Sequence, residues 1–378
     1  MTIQPQRDIG LYVHIPFCRQ RCHFCAFYLE AARAERIESF CSALAQEIDL
    51  YRREGVVGHR PLRSIYFGGG TPTALPAAQL VWLLQLIRAA WPAESSIEIT
   101  VEAHPSTVTS TDLTMLADAG FNRISFGAES MNEKDFAPIG RPGRVRDTEA
   151  AVNAARTAGF LNINLDLMYG LPDQSLVSWT ETVQAVLALE PTHVSCYALT
   201  IEDGTRLAQD IAKNLVPRPD ETLQIDMESA AETILKESGF ARYEISNYAK
   251  PGFACRHNLL YWTDDDYLGL GPSAQSYVDG IRFGTVADLT AYADLTNRHR
   301  LPIAERTILS ADEQRRDALV FGLRLVEGVP RHLVRPDMPQ YQTVAQLTSR
   351  EMVECVEERI RLTALGRRYA DSVAHELY

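Results

Sequence analysis

The sequence predicts an α/β protein: a partial (β/α)6 barrel followed by a small, mostly helical, winged-helix-like C-terminal domain. Three observations predict it. Six short β-rich runs recur, each followed by a stretch that can be helical, and strands alternating with helices require crossover connections and hence a parallel sheet. The unusual polar residues fall at the carboxyl ends of those runs, where parallel barrels gather their chemistry. Beyond about residue 301 helical patterning takes over.

The runs lie at 11–15, 63–67, 97–102, 122–127, 163–168 and 193–199. Between the first two, Ile37, Phe40, Cys41, Leu44, Ile48 and Tyr51 fall at three- and four-residue spacing, one apolar face of an amphipathic helix. Leu80, Leu83, Leu84 and Ile87 repeat that pattern after the second run. From about Pro219 a helix is predicted through Leu235, with proline compatible with a first turn. A Gly- and aromatic-rich stretch follows, and then helices at 318–326 and 352–362. The expected boundaries are a barrel over 1–235, an extension over 236–300 and a C-terminal domain over 301–378.

With 378 residues, 46% hydrophobic and 23% charged, the composition is that of an ordinary globular protein. A formal net charge of −12 without a long Lys/Arg run argues against nucleic acid, whose phosphates demand a positive surface. No basic-then-apolar leader opens the chain and no apolar stretch is long enough to span a bilayer, so a cytoplasmic protein is expected. In that reducing setting Cys41, Cys196, Cys255 and Cys355 are expected to be buried small hydrophobes.

Cys18, Cys22 and Cys25 differ, because all three follow the first run within eight residues. Three thiolates on one loop suit three corners of an iron–sulfur cubane. Structural zinc is the competing reading, and it would need a fourth ligand such as His14 or His23. Gly68-Gly69-Gly70-Thr71-Pro72-Thr73 follows the second run, where missing side chains let backbone approach a ligand, or where a plain turn is made. Glu102 ends the third run, as a ribose-binding or a solvated carboxylate. Asp166 stands in an otherwise apolar strand and needs a polar partner.

The segment from Tyr12 through Cys18, with the cysteine triplet, resembles the radical SAM superfamily, named for S-adenosylmethionine (SAM). The resemblance implies a [4Fe–4S] cluster on Cys18, Cys22 and Cys25 whose remaining iron chelates SAM, and reductive cleavage of SAM to methionine and a 5′-deoxyadenosyl radical. It further implies SAM contacts from Tyr12, Phe24, Gly69, Gly70 and Thr71, and from Glu102, Glu129, Arg141, Asp166 and Ala198.

Along its whole length the chain is similar to the HemN-like group, and within it to the heme-chaperone branch. Tyr243 through Phe253, Arg256-His257-Asn258-Leu259-Leu260-Tyr261-Trp262 and the ending Leu362 through Gly366 carry this similarity. It implies heme as a ligand, a heme-acceptor protein as partner and a flavodoxin- or ferredoxin-like electron donor. His257 is then the candidate heme ligand, flanked by Tyr261 and Trp262, although a lone histidine also serves as a hydrogen-bonded packing residue. The chain departs from the group at Glu129, where glutamine is usual, at Gly143 and His104, and at Gln275. The departures near Glu129 and Gln275 favour the alternative of a radical SAM enzyme, such as a class C methyltransferase on a small molecule or peptide. Oxygen-independent coproporphyrinogen oxidation is disfavoured by Phe27, which replaces an additional cysteine.

Overall fold

The computed structural model describes residues 8–378, so the first seven residues of the expected barrel segment lie outside the described residues. Six parallel strands form the heart of the protein: β1 (Ile9–Ile15), β2 (Leu62–Gly69), β3 (Ala93–Ala103), β4 (Arg123–Glu129), β5 (Asn162–Tyr169) and β6 (His193–Ala198). They pair in chain order. Sequential order places every crossover on the same side, which curls the sheet into an incomplete barrel instead of a doubly wound sheet.

The crossovers carry α1 (Ala34–Glu54), α2 (Ala77–Ala90), α3 (Ser110–Ala119), α4 (Val145–Thr157) and α5 (Leu176–Ala188). Their ends are set locally. Thr109 and Asp112 form a reciprocal capping box at the start of α3, and Gly120 stops it in the left-handed conformation at φ 103°. α6 (Arg206–Ala212) and α7 (Glu221–Glu237) follow β6, α7 starting on an Asp220 cap just after Pro219.

Each barrel strand has two buried faces of opposite character. Ile97, Ile99 and Val101 of β3, with Ile124 and Phe126 of β4, join the apolar core shared with the helices. The alternate residues Glu98, Thr100, Glu102, Arg123 and Ser125 therefore share the other face, which lines the bore. The same alternation on β5 and β6 brings Asn164, Asp166 and Ser195 together: Asn164 Nδ2 donates to Ser125 Oγ at 2.6 Å and to Ser195 Oγ at 3.1 Å.

Both edges of the barrel sheet are extended, giving twelve strands in all. Beyond β6 runs the antiparallel pair Asn247–Ala249 and Ala241–Arg242. Beyond β1 lies β7 (Asp266–Leu270), parallel to it, then antiparallel β8 (Gln275–Val278), β9 (Ile281–Thr285) and β10 (Ile303–Ile308). The stretch between carries α8 (Arg256–Trp262), a helix the sequence reading did not anticipate, and α9 (Leu289–Asn297) follows β9. α8 packs inside the barrel against β1, β2 and β7.

The C-terminal part has its own core, around Leu319, Leu347, Val353, Ile360 and Val373. It comprises α10 (Ala311–Gly322), α11 (Pro339–Ser349), α12 (Ala364–Arg368) and α13 (Ala370–Leu377). The helix expected at 318–326 is the end of α10, which stops at Gly322. The helix expected at 352–362 is instead an antiparallel hairpin of β11 (Val353–Val356) and β12 (Arg359–Leu362). There Val353, Ile360 and Leu362 are buried while their neighbours are not, a period of two, and Glu357 takes the left-handed turn at φ 52°. Among the described residues no helix is long and apolar enough to cross a membrane.

Candidate active site

The carboxyl ends of β1 to β6 open into a pocket of about 520 Å³, within the range of small-molecule sites. Cys18, Cys22 and Cys25 line it, on the loop leaving β1. That loop is held from two sides, His23 N donating to Ile139 O at 2.8 Å and Leu207 N to His23 O at 2.9 Å. Cys18 Sγ lies 3.2 Å from Thr71 Oγ1. Burial pushes the Cys22 thiol up to about 11, the other two thiols and Glu129 adding to the rise while Arg141 opposes it. Cys18 is likewise raised, first by burial. A metal must therefore displace protons to bind here. No three His, Cys, Asp or Glu side chains among the described residues converge on a single ion position. A cubane requires no such convergence, because it offers a separate iron to each cysteine.

The glycine run is shaped by close approach. Gly70 N donates to Ile15 O at 2.8 Å and Thr71 N to Phe17 O at 2.7 Å, stitching this loop to the cysteine loop. A Cβ at position 70 would stand 2.7 Å from Phe17 O, and Gly69 sits at φ 112°, so neither position admits a side chain without strain.

Three carboxylates face the pocket from the strand ends. Glu102 accepts from Tyr66 OH at 2.7 Å and from Gly69 N at 3.2 Å. Burial, seconded by the charge of Asp166, pushes Glu102 up to about 7, while the Tyr66 hydrogen bond pulls the other way. Asp166 has the polar partners its setting demanded, accepting from Ser125 Oγ at 2.9 Å and Asn164 Nδ2 at 2.8 Å. Glu129 takes a left-handed backbone, φ 62°, and its Oε1 lies 3.3 Å from Arg141 Nη1. Burial raises its carboxyl and the guanidinium counters, so the extra acid is compensated where it stands.

Of the residues tied to SAM by resemblance, Phe24, Gly69, Gly70, Thr71, Glu102, Glu129, Arg141 and Asp166 line this pocket together with the cysteines. Tyr12 does not; it faces an adjoining chamber of about 380 Å³ that shares Phe27, Gly69 and Glu102 with the first. Ala198, at the end of β6, is exposed, and it is its neighbour Tyr197 that reaches the pocket. His104 and Gly143 meet: a side chain at 143 would begin 3.3 Å from His104 Cε1.

His257 belongs to the bore. Its Nδ1 lies 2.8 Å from Ser64 Oγ and its Nε2 2.8 Å from Tyr261 OH, while its ring stacks on Tyr66 with centroids 5.1 Å apart. Glu98 accepts from Arg256 N and His257 N at 3.1 and 3.2 Å, capping α8 from within the barrel. With both ring nitrogens occupied and the residue buried, this geometry favours the packing role over iron ligation. Trp262 lies at the C-terminal core, with Arg324 4.8 Å over its ring.

The sequence reading passed over Arg123. It is 1% exposed, lines the pocket, and its Nε and Nη1 have no hydrogen-bond partner. Burial works against its charge, but Cys255, Glu98, Tyr66 and Tyr243 together outweigh it and keep the guanidinium protonated. The signal was available, an arginine inside an apolar strand, and it is the same signal that singled out Asp166. The other cysteines divide: Cys41, Cys196 and Cys255 are buried as expected, whereas Cys355 is exposed. It lies on β11 two residues beyond the buried Val353, next to the turn of the hairpin.

A family model described as the radical SAM superfamily matches residues 12–186. The heme chaperone HemW of Mycobacterium tuberculosis is 31% identical over 99% of this chain and 95% of its own length. HemW of Escherichia coli is 35% identical over 85% of this chain and 84% of its own. The mitochondrial radical S-adenosyl methionine domain-containing protein 1 of Bos taurus is 34% identical over 93% and 81%. Among solved structures, the coproporphyrinogen III oxidase HemN of Escherichia coli superposes with a TM-score of 0.83 over 100% of this chain and 91% of its own. At 24% identity that likeness speaks for the fold.

Proposed function

Because the chain belongs to the radical SAM superfamily, in the HemN-like group that includes the HemW proteins, we propose that it is a heme chaperone. In this reading it holds a [4Fe–4S] cluster through Cys18, Cys22 and Cys25, binds SAM beside it, and passes heme to an acceptor protein. The observation that carries the cluster and SAM reading is the single pocket onto which three thiols, two side-chain-free glycines and the Glu102 carboxylate all open. The relatives named heme chaperones carry the heme reading.

The donor set fits both groups. Thiolates suit iron–sulfur clusters, and a carboxylate at a strand end suits ribose hydroxyls. When bound, the cluster supplies an electron to the sulfonium of SAM, delivered by a flavodoxin- or ferredoxin-like donor. The chain's own residues bind and orient. Gly69 and Gly70 let the amino-acid end of SAM lie against backbone, and Glu102 accepts from the ribose. Arg141 neutralises Glu129, so this extra acid adds no uncompensated charge beside the SAM carboxylate. A reducing cytoplasm suits unpaired thiols at the rim.

A second reading, a radical SAM enzyme such as a class C methyltransferase acting on a small molecule or peptide, draws on Arg123, whose unsatisfied donors could meet a polar substrate in the bore. Anaerobic reconstitution followed by addition of reductant, SAM and hemin separates the two. Stoichiometric hemin binding with little 5′-deoxyadenosine supports the chaperone. Abundant deoxyadenosine or a methylated product without hemin binding sinks it. Cys22→Ala is expected to lose cluster iron and acid-labile sulfide, and unchanged iron and sulfide would contradict the ligand assignment.

A further inference from the structure

Thr71 stands where the glycine loop meets the cysteine loop. Its extended backbone, φ −144° and ψ 95°, puts it at the start of the short helical turn Pro72–Ala74, yet its hydroxyl does not cap that turn. The other threonines at helix starts behave differently: Thr109, Thr205 and Thr363 each accept a backbone N–H and cap α3, α6 and α12. The Thr71 hydroxyl is turned instead to Cys18, with Oγ1 3.2 Å from Sγ. We propose that Thr71, by donating this hydrogen bond to Cys18 Sγ, raises the reduction potential of the [4Fe–4S] cluster. The proposal rests on the cluster reading above and adds a residue that sets how readily the cluster takes an electron.

The contact is anchored by backbone as well as by side chains. Thr71 N donates to Phe17 O at 2.7 Å and Gly70 N to Ile15 O at 2.8 Å, which ties the threonine to the residue next to Cys18. With the thiol protonated, either group can be the donor. A sulfur bound to iron has lost its proton and only accepts, so in the loaded protein the hydroxyl donates. Its dipole then points a partial positive charge at a sulfur whose negative charge grows on reduction. Hydrogen bonds to the sulfurs are one of the levers that set the potential of such clusters.

The setting gives this dipole something to oppose. Glu102 and Asp166 face the same pocket, and carboxylates beside a cluster disfavour an added electron. Burial raises the Cys18 thiol, and the Thr71 hydrogen bond leads the influences that pull it back, with Arg21 behind it. Arg21 is exposed, so salt and solvent screen its charge, whereas the hydroxyl acts from within the pocket lining. One electron from the flavodoxin- or ferredoxin-like donor reduces the cluster, and no proton or leaving group is exchanged in that step. Thr71 acts on it only through Cys18.

The test uses the full chain, reconstituted anaerobically and kept free of SAM so that ligand binding does not enter. The applied potential is stepped and the reduced cluster is counted by electron paramagnetic resonance. Thr71→Val removes the hydroxyl at nearly constant volume and should lower the reduced-to-oxidised ratio at a fixed potential about tenfold, a midpoint about 59 mV lower for one electron. Thr71→Ala should shift the same way, and Thr71→Ser, which keeps the hydroxyl, should titrate like wild type. Cluster iron and acid-labile sulfide should be unchanged in all of them. Wild-type midpoints in Thr71→Val and Thr71→Ala would overturn the assignment, as would a Thr71→Ser midpoint shifted as far as that of Thr71→Val. Loss of the cluster from both hydroxyl-free variants with retention in Thr71→Ser would overturn it too, because the hydroxyl would then hold the cluster instead of tuning it. Wild-type protein that takes up no cluster is a separate result, which defeats the cluster reading itself.

Discussion

Replacing Glu102 by glutamine tests the SAM assignment through charge alone, because the amide keeps the size and one acceptor. The carboxylate accepts from Tyr66 OH and Gly69 N and retains lone pairs toward the pocket. A hydrogen bond to an ionised group is worth about 1.5–3 kcal/mol, so Glu102→Gln should weaken SAM binding by roughly 10- to 150-fold. The pH profile adds a second readout. With burial, then Asp166, holding the group up to about 7, it is ionised above that pH and protonated below. Wild-type affinity should therefore rise about tenfold from roughly pH 6 to pH 8, whereas that of Glu102→Gln should stay flat. Calorimetric titration of SAM onto reconstituted protein measures both. A variant within twofold of wild type, or one with the same pH slope, would refute the role of this carboxylate.

Glu47, fully buried on α1, accepts from Gly271 N at 2.7 Å and Tyr292 OH at 2.6 Å, and burial raises it from 4.5 to about 7. A carboxyl raised by folding favours the native state below its unfolded value, and that advantage is lost as pH rises through about 7, a change of about 3 kcal/mol. Urea unfolding should accordingly show wild type weakening from about pH 5 to pH 8 relative to Glu47→Gln, and parallel curves would count against the assignment. Arg141→Met leaves the partly buried Glu129 carboxylate without its cation and should cost about 1–3 kcal/mol. Adding Glu129→Gln should recover much of this in a double-mutant cycle, and a double variant no more stable than the single would contradict the pairing.

Much of this was legible in the sequence. The six strands fall where the β-rich runs lie, because alternating apolar residues report one buried face whatever covers the other. The cysteine loop and glycine run stood out for their residue types, and the structure brings them to one pocket. What stayed hidden depends on contacts distant in sequence. The polar lining of Arg123, Ser125, Asn164 and Ser195 reads locally as scattered polar residues, and only the curl of the sheet turns them toward each other. His257 could be read as a ligand or as a packing residue, because nothing nearby in the chain announces Ser64, 193 residues away, as its partner. The hairpin at 353–362 was taken for a helix because its charged residues are good helix formers, and the buried Val353, Ile360 and Leu362 override that preference by packing.

The seating of α8 within the barrel has a consequence for traffic. Leu260 and His257 crowd Gly10 at the amino end of β1, where even a methyl group would collide with Leu260. A stopper wedged so firmly leaves the opposite mouth as the doorway for both proposed ligands, SAM and heme. Two guests using one entrance either queue or obstruct each other, so the order of their arrival becomes a property of the architecture. Saturating the protein with one should visibly slow the entry of the second.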